Sequence, residues 1–129
     1  MATAGRYFAL AYIAVTALFL GYLGTTWAFF PADHMERLGV TATSIPAINT
    51  LKSIMGTALL GVTGACLLFL FNQEKWFRTL TLLIAIMIVV RVTSLALDGF
   101  HPRMAVYAVL EIGILVAVYA GVKLKPQGA

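Results

Sequence analysis

Four long apolar runs dominate this sequence and leave few ways to fold it. They cover about residues 7–30, 46–71, 80–98 and 104–122, each close to or above the roughly 20 residues that a helix needs to cross a bilayer. Hydrocarbon offers no water to exposed N–H and C=O groups, so a crossing segment must satisfy its own backbone, as a helix does. Of the 129 residues, 61% are hydrophobic and 11% charged, whereas an ordinary soluble domain is about 25% charged. So short a chain cannot bury that much apolar surface against itself. The expected fold class is all-α: a polytopic membrane protein whose four transmembrane helices form one antiparallel bundle over residues 1–129, with no room for a soluble catalytic domain.

Arg6 ahead of the first run gives it the look of a signal peptide. The run exceeds the apolar stretch of about 7–15 residues found in one, and no small-residue cleavage site precedes Pro31, so it reads as a retained span. Trp27, Phe29 and Phe30 close it as an interfacial aromatic belt, and Pro31 stops it. In the longest connection, Pro31 to Pro46, Asp33 caps a short helical turn through Leu38 that Gly39 ends. Thr43 or Ser44 then caps the second span, with Pro46 in its first turn. Asn72 to Thr79 reads as a short polar loop, with Trp76 and Phe77 as a second belt. Gly99–Phe100–His101–Pro102–Arg103 reads as a tight turn. The fourth span ends before Lys123, Lys125 and Pro126.

The net charge of +4 comes from nine scattered Lys and Arg residues. No basic run with interleaved aromatics suggests nucleic acid. Arg6, Lys75, Arg78, Lys123 and Lys125 fall on one side of the membrane; Arg37 and Arg103 fall on the other, with Lys52 if it snorkels outward. The positive-inside rule then puts both termini and the second loop in the cytoplasm, and the first and third loops outside. Cys66, the single cysteine, has no partner for a disulfide or a Cys-x-x-Cys pair and reads as a packing residue.

Without a hydrophobic drive between helices in lipid, small residues spaced by four mark close helix contacts. Such stripes are Ala17, Gly21 and Thr25 in the first span, Thr57, Gly61 and Ala65 in the second, and Gly113, Ala117 and Gly121 in the fourth. They read as closing the bundle. With Glu111 facing inward, the stripe in the fourth span could instead face a neighbouring subunit.

The most informative feature is a set of polar residues within the spans. Arg91, Ser94 and Asp98, at i, i+3 and i+7, share one helix face. Arg91 and Glu111 each lie about ten residues from the turn near Phe100 and His101, hence at similar depth, about 15 Å from it. A guanidinium and a carboxylate brought to one depth can pair bidentately, and each would cost about 2.5–3.5 kcal/mol if left unpaired at the bilayer centre. The expectation is that Arg91 pairs with Glu111 and Lys52 with Asp98, with Ser94 and Asn49 adding hydrogen bonds. The cluster Asn49, Lys52, Arg91, Ser94, Asp98 and Glu111 then fixes helix register, holds the head group of a ligand whose tail lies among the helices, or relays protons or ions.

His34 and His101, with Asp33, Glu36 and Asp98, share no metal-ligand spacing. No nucleophile elbow, phosphate loop, haem-attachment motif or dinucleotide fingerprint is present. No catalytic residue, cofactor or metal site is therefore expected.

The stretch from Asn49 through Lys52 to Gly56 is similar to an Asn-x-x-(Arg/Lys)-x-x-x-Gly pattern. The stretch from Arg91 through Ser94, Asp98 and Gly99 to Pro102 and Glu111 resembles an Arg-x-x-Ser-x-x-x-Asp-Gly…Pro…Glu pattern. Together they resemble a bacterial family of four-helix membrane proteins of unknown function, grouped loosely with DoxX-like proteins, over about Pro31 to Val122. The second pattern is the more specific; at Lys52 the family more often has Arg. The resemblance implies a four-helix bundle in a bacterial inner membrane. DoxX relatives are associated with quinone-linked sulfur oxidation, but the likeness carries no catalytic residue onto this chain.

Two functions follow as expectations. The first is a non-catalytic accessory or assembly subunit of a larger membrane complex, or a homo-oligomer, favoured by small size, tiny loops and the stripe in the fourth span. The second is a binder or carrier of a lipid, quinone or similar amphiphile, its head group at Arg91, Asp98, Glu111 and Lys52. Membrane lipids are partners in either case. An enzyme or redox subunit is a third class, for which no motif stands.

Overall fold

The computed structural model describes residues 2–125, with side chains from Thr3 onward; Pro126 lies outside the described residues. The chain forms five helices: α1 (Ala2–Phe29), α2 (Ala32–Leu38), α3 (Ile45–Phe71), α4 (Gln73–Asp98) and α5 (Pro102–Lys123). All but α2 are long and apolar enough to cross a membrane. At 28, 27, 26 and 22 residues, they run from about 33 to about 42 Å, against a hydrocarbon core of about 30 Å. α1 packs on α3 and α5, and α4 packs on the same two, so the long helices close into an antiparallel four-helix ring.

The core is a narrow axial column in which Ile13, Cys66, Phe69, Leu80, Ile84 and Val118 are almost fully buried. Around it, residues such as Phe8, Leu18, Phe71, Val89 and Val109 point outward, each more than half exposed. That inversion suits a protein whose surroundings are lipid tails, as apolar as its core.

Two boundaries differ from the sequence expectation. Helix α1 begins at Ala2 rather than near Tyr7, and α4 begins at Gln73 rather than near Leu80. The expected polar loop Asn72–Thr79 shrinks to Asn72, which is extended (φ −147°, ψ 98°) and whose side chain accepts from the Lys75 amide at 3.1 Å, capping α4. Glu74 in the first turn suits the positive end of the helix dipole. Polar residues mark where a helix leaves hydrocarbon, and the helix itself continues past that level.

All four long helices are tied together at this end. Arg6 Nε donates to the Gly121 carbonyl at 3.2 Å, and its Nη2 donates to Gln73 Oε1 at 3.1 Å. Gln73 Nε2 donates to the Leu70 carbonyl at 2.7 Å. Both carbonyls belong to the last turns of α5 and α3, where the helix supplies no partner of its own. Lys125 Nζ meets Glu74 Oε1 at 3.1 Å.

The small-residue stripes are used unequally. Along α1, Ala17 is buried and a Cβ at Gly21 would lie 3.3 Å from Thr63 Cγ2 of α3, but the tightest contact falls off the stripe, at Gly24, whose Cβ would lie 2.9 Å from Leu60 Cγ and 3.0 Å from the Leu60 backbone nitrogen. The α5 stripe also points inward: Ala117 and Gly121 are buried, and Cβ atoms at Gly113 and Gly121 would meet Tyr12 and Leu10 of α1. The alternative that this stripe faces a neighbouring subunit is thereby corrected, because α1 occupies it. On α3 the stripe divides. Ala65 is buried and Thr57 exposed, Gly61 is open, and the close contact with α1 falls on Gly56, which faces Ala28.

Candidate functional site

At the end opposite Arg6, α2 folds back over the bundle. His34 Nε2 lies 2.6 Å from Thr26 Oγ1, and its ring stacks on Trp27 with centroids 5.1 Å apart and planes 14° apart. Met35 is buried beneath. Gly39 takes the left-handed conformation (φ 67°) that ends α2, and its amide returns to the Glu36 carbonyl at 3.1 Å. Glycine adopts that conformation without the cost a Cβ brings. This fold-back carries Arg37 and Leu38 to the mouth of a groove of about 710 Å³ between α4, α5 and α2.

Helix α4 forms the long wall of the groove. Ile86, Val90, Ser94 and Asp98 recur every four residues along it, a stripe about 18 Å long. The wall is graded. Ile86, Met87 and Val90 are apolar, Arg91 and Ser94 follow, and Asp98 stands at the mouth with His101, Arg103 and Arg37.

Arg91 lines the groove and also reaches across to α5. Its Nε donates to Glu111 Oε1 at 2.8 Å, and Nη2 meets the same oxygen at 2.7 Å. The contact differs from the expected bidentate pairing, because both nitrogens converge on one carboxylate oxygen. Glu111 Oε2 is buried with no hydrogen-bond partner among the described residues, an arrangement that costs about 1–3 kcal/mol. The Glu111 side chain is 8% exposed and that of Arg91 29%. Glu111 is buried because it lies on the inward face of α5, between Ala108 and Ile114. The third guanidinium nitrogen, Nη1, has among the described residues only the Met104 thioether at 3.7 Å, a weak acceptor. Tyr107 completes the seat, its ring centroid 5.6 Å from Arg91 Cζ.

Of the sequence-predicted cluster, Arg91, Ser94 and Asp98 line the groove, and Glu111 stands behind Arg91. Asn49 and Lys52 are on α3, which packs against α1 and α4, and neither lines the groove. The expected Lys52–Asp98 pair does not form: among the described residues the ion pairs are Arg91–Glu111 and Lys125–Glu74. The cause is register. With Asn72 alone between α3 and α4, residues equidistant from it lie level, which sets Lys52 opposite Val92 and about 9 Å from the level of Asp98. Sequence reasoning missed Tyr107 and Met104 as partners of Arg91, although Met104, Tyr107 and Glu111 fall at i, i+3 and i+7 on one face. It counted Arg37 and Arg103 for orientation only; nothing local to either residue indicates a shared groove.

Among the described residues, no three His, Cys, Asp or Glu side chains gather as metal ligands would. Chemically, the arrangement offers cationic hydrogen-bond donors at the mouth and aliphatic surface below.

Fold and groove together define a small multi-pass membrane protein with four spanning helices. It belongs to the family described as Domain of unknown function (DUF4345), whose model matches residues 8–122. No curated protein and no solved structure matches the chain.

Proposed function

We propose that the protein binds or carries an amphiphile (a lipid, a quinone or a similar molecule), with the head at the Arg37–Arg91–Arg103 end of the groove and the tail along Val90, Met87 and Ile86. The carrying observation is the polarity gradient along α4, which runs from aliphatic to charged within one open groove. Its volume of about 710 Å³ falls within the range of about 300–1,000 Å³ that small-molecule sites occupy. The same proposal places the protein in a bacterial inner membrane with both termini cytoplasmic, supported by the excess of Lys and Arg at the Arg6 end, and includes the looser kinship with DoxX-like proteins. On that placement the Arg91–Glu111 pair lies inside the membrane, about 14 Å along α5 from its start.

The test is native mass spectrometry of protein extracted in a neutral detergent. The wild type retains one amphiphile per chain, and Val90→Trp, which fills the apolar end of the groove from an exposed position, loses it at unchanged helicity. Equal retention by both proteins, or none by the wild type, would defeat the proposal.

The accessory-subunit reading keeps one support. Gly61 and Gly64 of α3 have nothing within 4 Å of a Cβ position, so a helix from a second copy or another membrane protein could approach closely there. Cysteine cross-linking from Gly61→Cys in native membranes tests it: a discrete cross-linked species supports that interface, and monomer alone excludes it.

A further inference from the structure

We infer that the groove selects an amphiphile whose head is an oxyanion, a carboxylate or a phosphate, over one with a neutral head; the inference rests on the amphiphile reading above. The first ground is charge. Arg37, Arg91 and Arg103 line the groove with Asp98 as its acidic residue. Glu111 behind Arg91 offsets one further positive charge. Three guanidiniums against two carboxylates leave a cationic site at the end of an apolar channel, and the low dielectric of that channel strengthens the field on anything bound in it.

The second ground is the geometry of Arg91. Nε and Nη2 are both committed to one oxygen of Glu111, at 2.8 and 2.7 Å. This fixes the guanidinium plane while Nη1 has, among the described residues, only a thioether at 3.7 Å. Glu111 is thus a positioning residue: it holds Arg91 so that an unspent cationic donor is available on the groove side. A pre-oriented guanidinium loses little freedom when an oxyanion arrives, and its hydrogen bonds to an anion are about twice as strong as neutral ones. A quinone carbonyl or an ester head would receive only a neutral acceptor's share of that strength.

The third ground is location. Arg37 and Arg103 are exposed at the mouth, where they can close on a head group from α2 and α5 while the tail remains among aliphatic side chains. Asp98 at the same mouth opposes an anion, so it sets the strength of binding and makes a second handle on the charge.

The test uses the full chain in neutral-detergent micelles and measures the affinity of four probes: oleate, dioleoyl phosphatidate, uncharged monoolein and inorganic phosphate. Oleate or the phosphatidate should bind at least about tenfold more tightly than monoolein, a difference of about 1.4 kcal/mol, and phosphate without a tail should bind weakly. Arg37→Gln with Arg103→Gln should remove the preference for the anionic probes. Asp98→Asn should strengthen their binding several-fold, and because that is a gain, no folding defect can imitate it. Lys75→Gln with Lys123→Gln, at the opposite end of the bundle, should change neither.

If monoolein binds as well as oleate and the arginine variants make no difference, the anionic selectivity is wrong while the amphiphile reading stands. Phosphate binding as tightly as the tailed probes would overturn the inference in favour of a soluble-anion site. If no probe binds, the anionic selectivity falls, and the amphiphile reading is decided by the retention of a native ligand in the mass spectrometry above. An equal loss in the Lys75/Lys123 control would reduce the preference to net charge and overturn the inference.

Discussion

Replacing Arg91 with leucine should be more damaging than replacing Glu111, and the double replacement should cost much less than the two singles combined. Glu111 is 8% exposed and Arg91 29%. Removing the guanidinium strands a carboxylate in the bundle interior, and losing one member of a buried pair costs about 3–5 kcal/mol. Removing the carboxylate instead leaves an arginine that already lines the groove. Its long stem can carry the charge toward the mouth, so about 1.5–3 kcal/mol is expected, the range of hydrogen bonds made to a charged group. With both replaced by leucine, no charge remains to be solvated, and such exchanges are often near neutral. The expected coupling is therefore about 4 kcal/mol or more, well above the roughly 0.6 kcal/mol typical of polar contacts between transmembrane helices. Equilibrium unfolding in mixed micelles, followed by far-ultraviolet circular dichroism for the four proteins of the cycle, measures it. A coupling below about 0.5 kcal/mol, or Arg91→Leu milder than Glu111→Leu, would refute the reasoning.

Four further outcomes follow from the packing and the helix ends. Gly24→Ala should destabilise by about 1–3 kcal/mol, because its Cβ meets the backbone and side chain of Leu60 at 2.9–3.0 Å. Gly61→Ala, with open space around it, should be neutral or stabilise by up to about 1 kcal/mol through helix propensity; thermal melts in detergent compare the two. His34→Ala should release α2, read as faster amide exchange confined to residues 32–38, with Trp27 losing its stacked partner. Asn72→Ala should cost about 1 kcal/mol and speed exchange in the first turn of α4, where Asn72 caps the Lys75 amide.

The spans were readable because lipid demands apolar residues around the whole circumference of a helix, a signal that needs no partner to interpret. Their ends were less so. Residues 73–79 look like a loop by polarity but form the first turns of α4, since water outside the membrane permits polar helix as readily as polar coil. The level shared by Arg91 and Glu111 could be counted from the turn beside them, because that turn is short and its length is evident from Gly99 and Pro102. Lys52 and Asp98 could not be matched in this way: their relative depth depends on how many residues separate α3 from α4, and the single-residue link at Asn72 removed the slack that pairing requires. The groove was the least readable feature. Its mouth needs Arg37, which reaches it only because His34 docks on Thr26 and Trp27 and Gly39 reverses the chain, and no periodicity within α4 or α5 reports on where α2 will lie.

Photo-labelling in membranes tests the groove most directly. A fatty acid carrying a diazirine near its tail end is incorporated, irradiated, and located by peptide mapping. Labels should concentrate on Ile86, Met87 and Val90 and fall when unlabelled oleate competes. Labelling spread evenly over outward residues such as Phe8, Phe71 and Val109, and indifferent to competitor, would mean that the chain meets lipid only as solvent and that the groove holds no ligand.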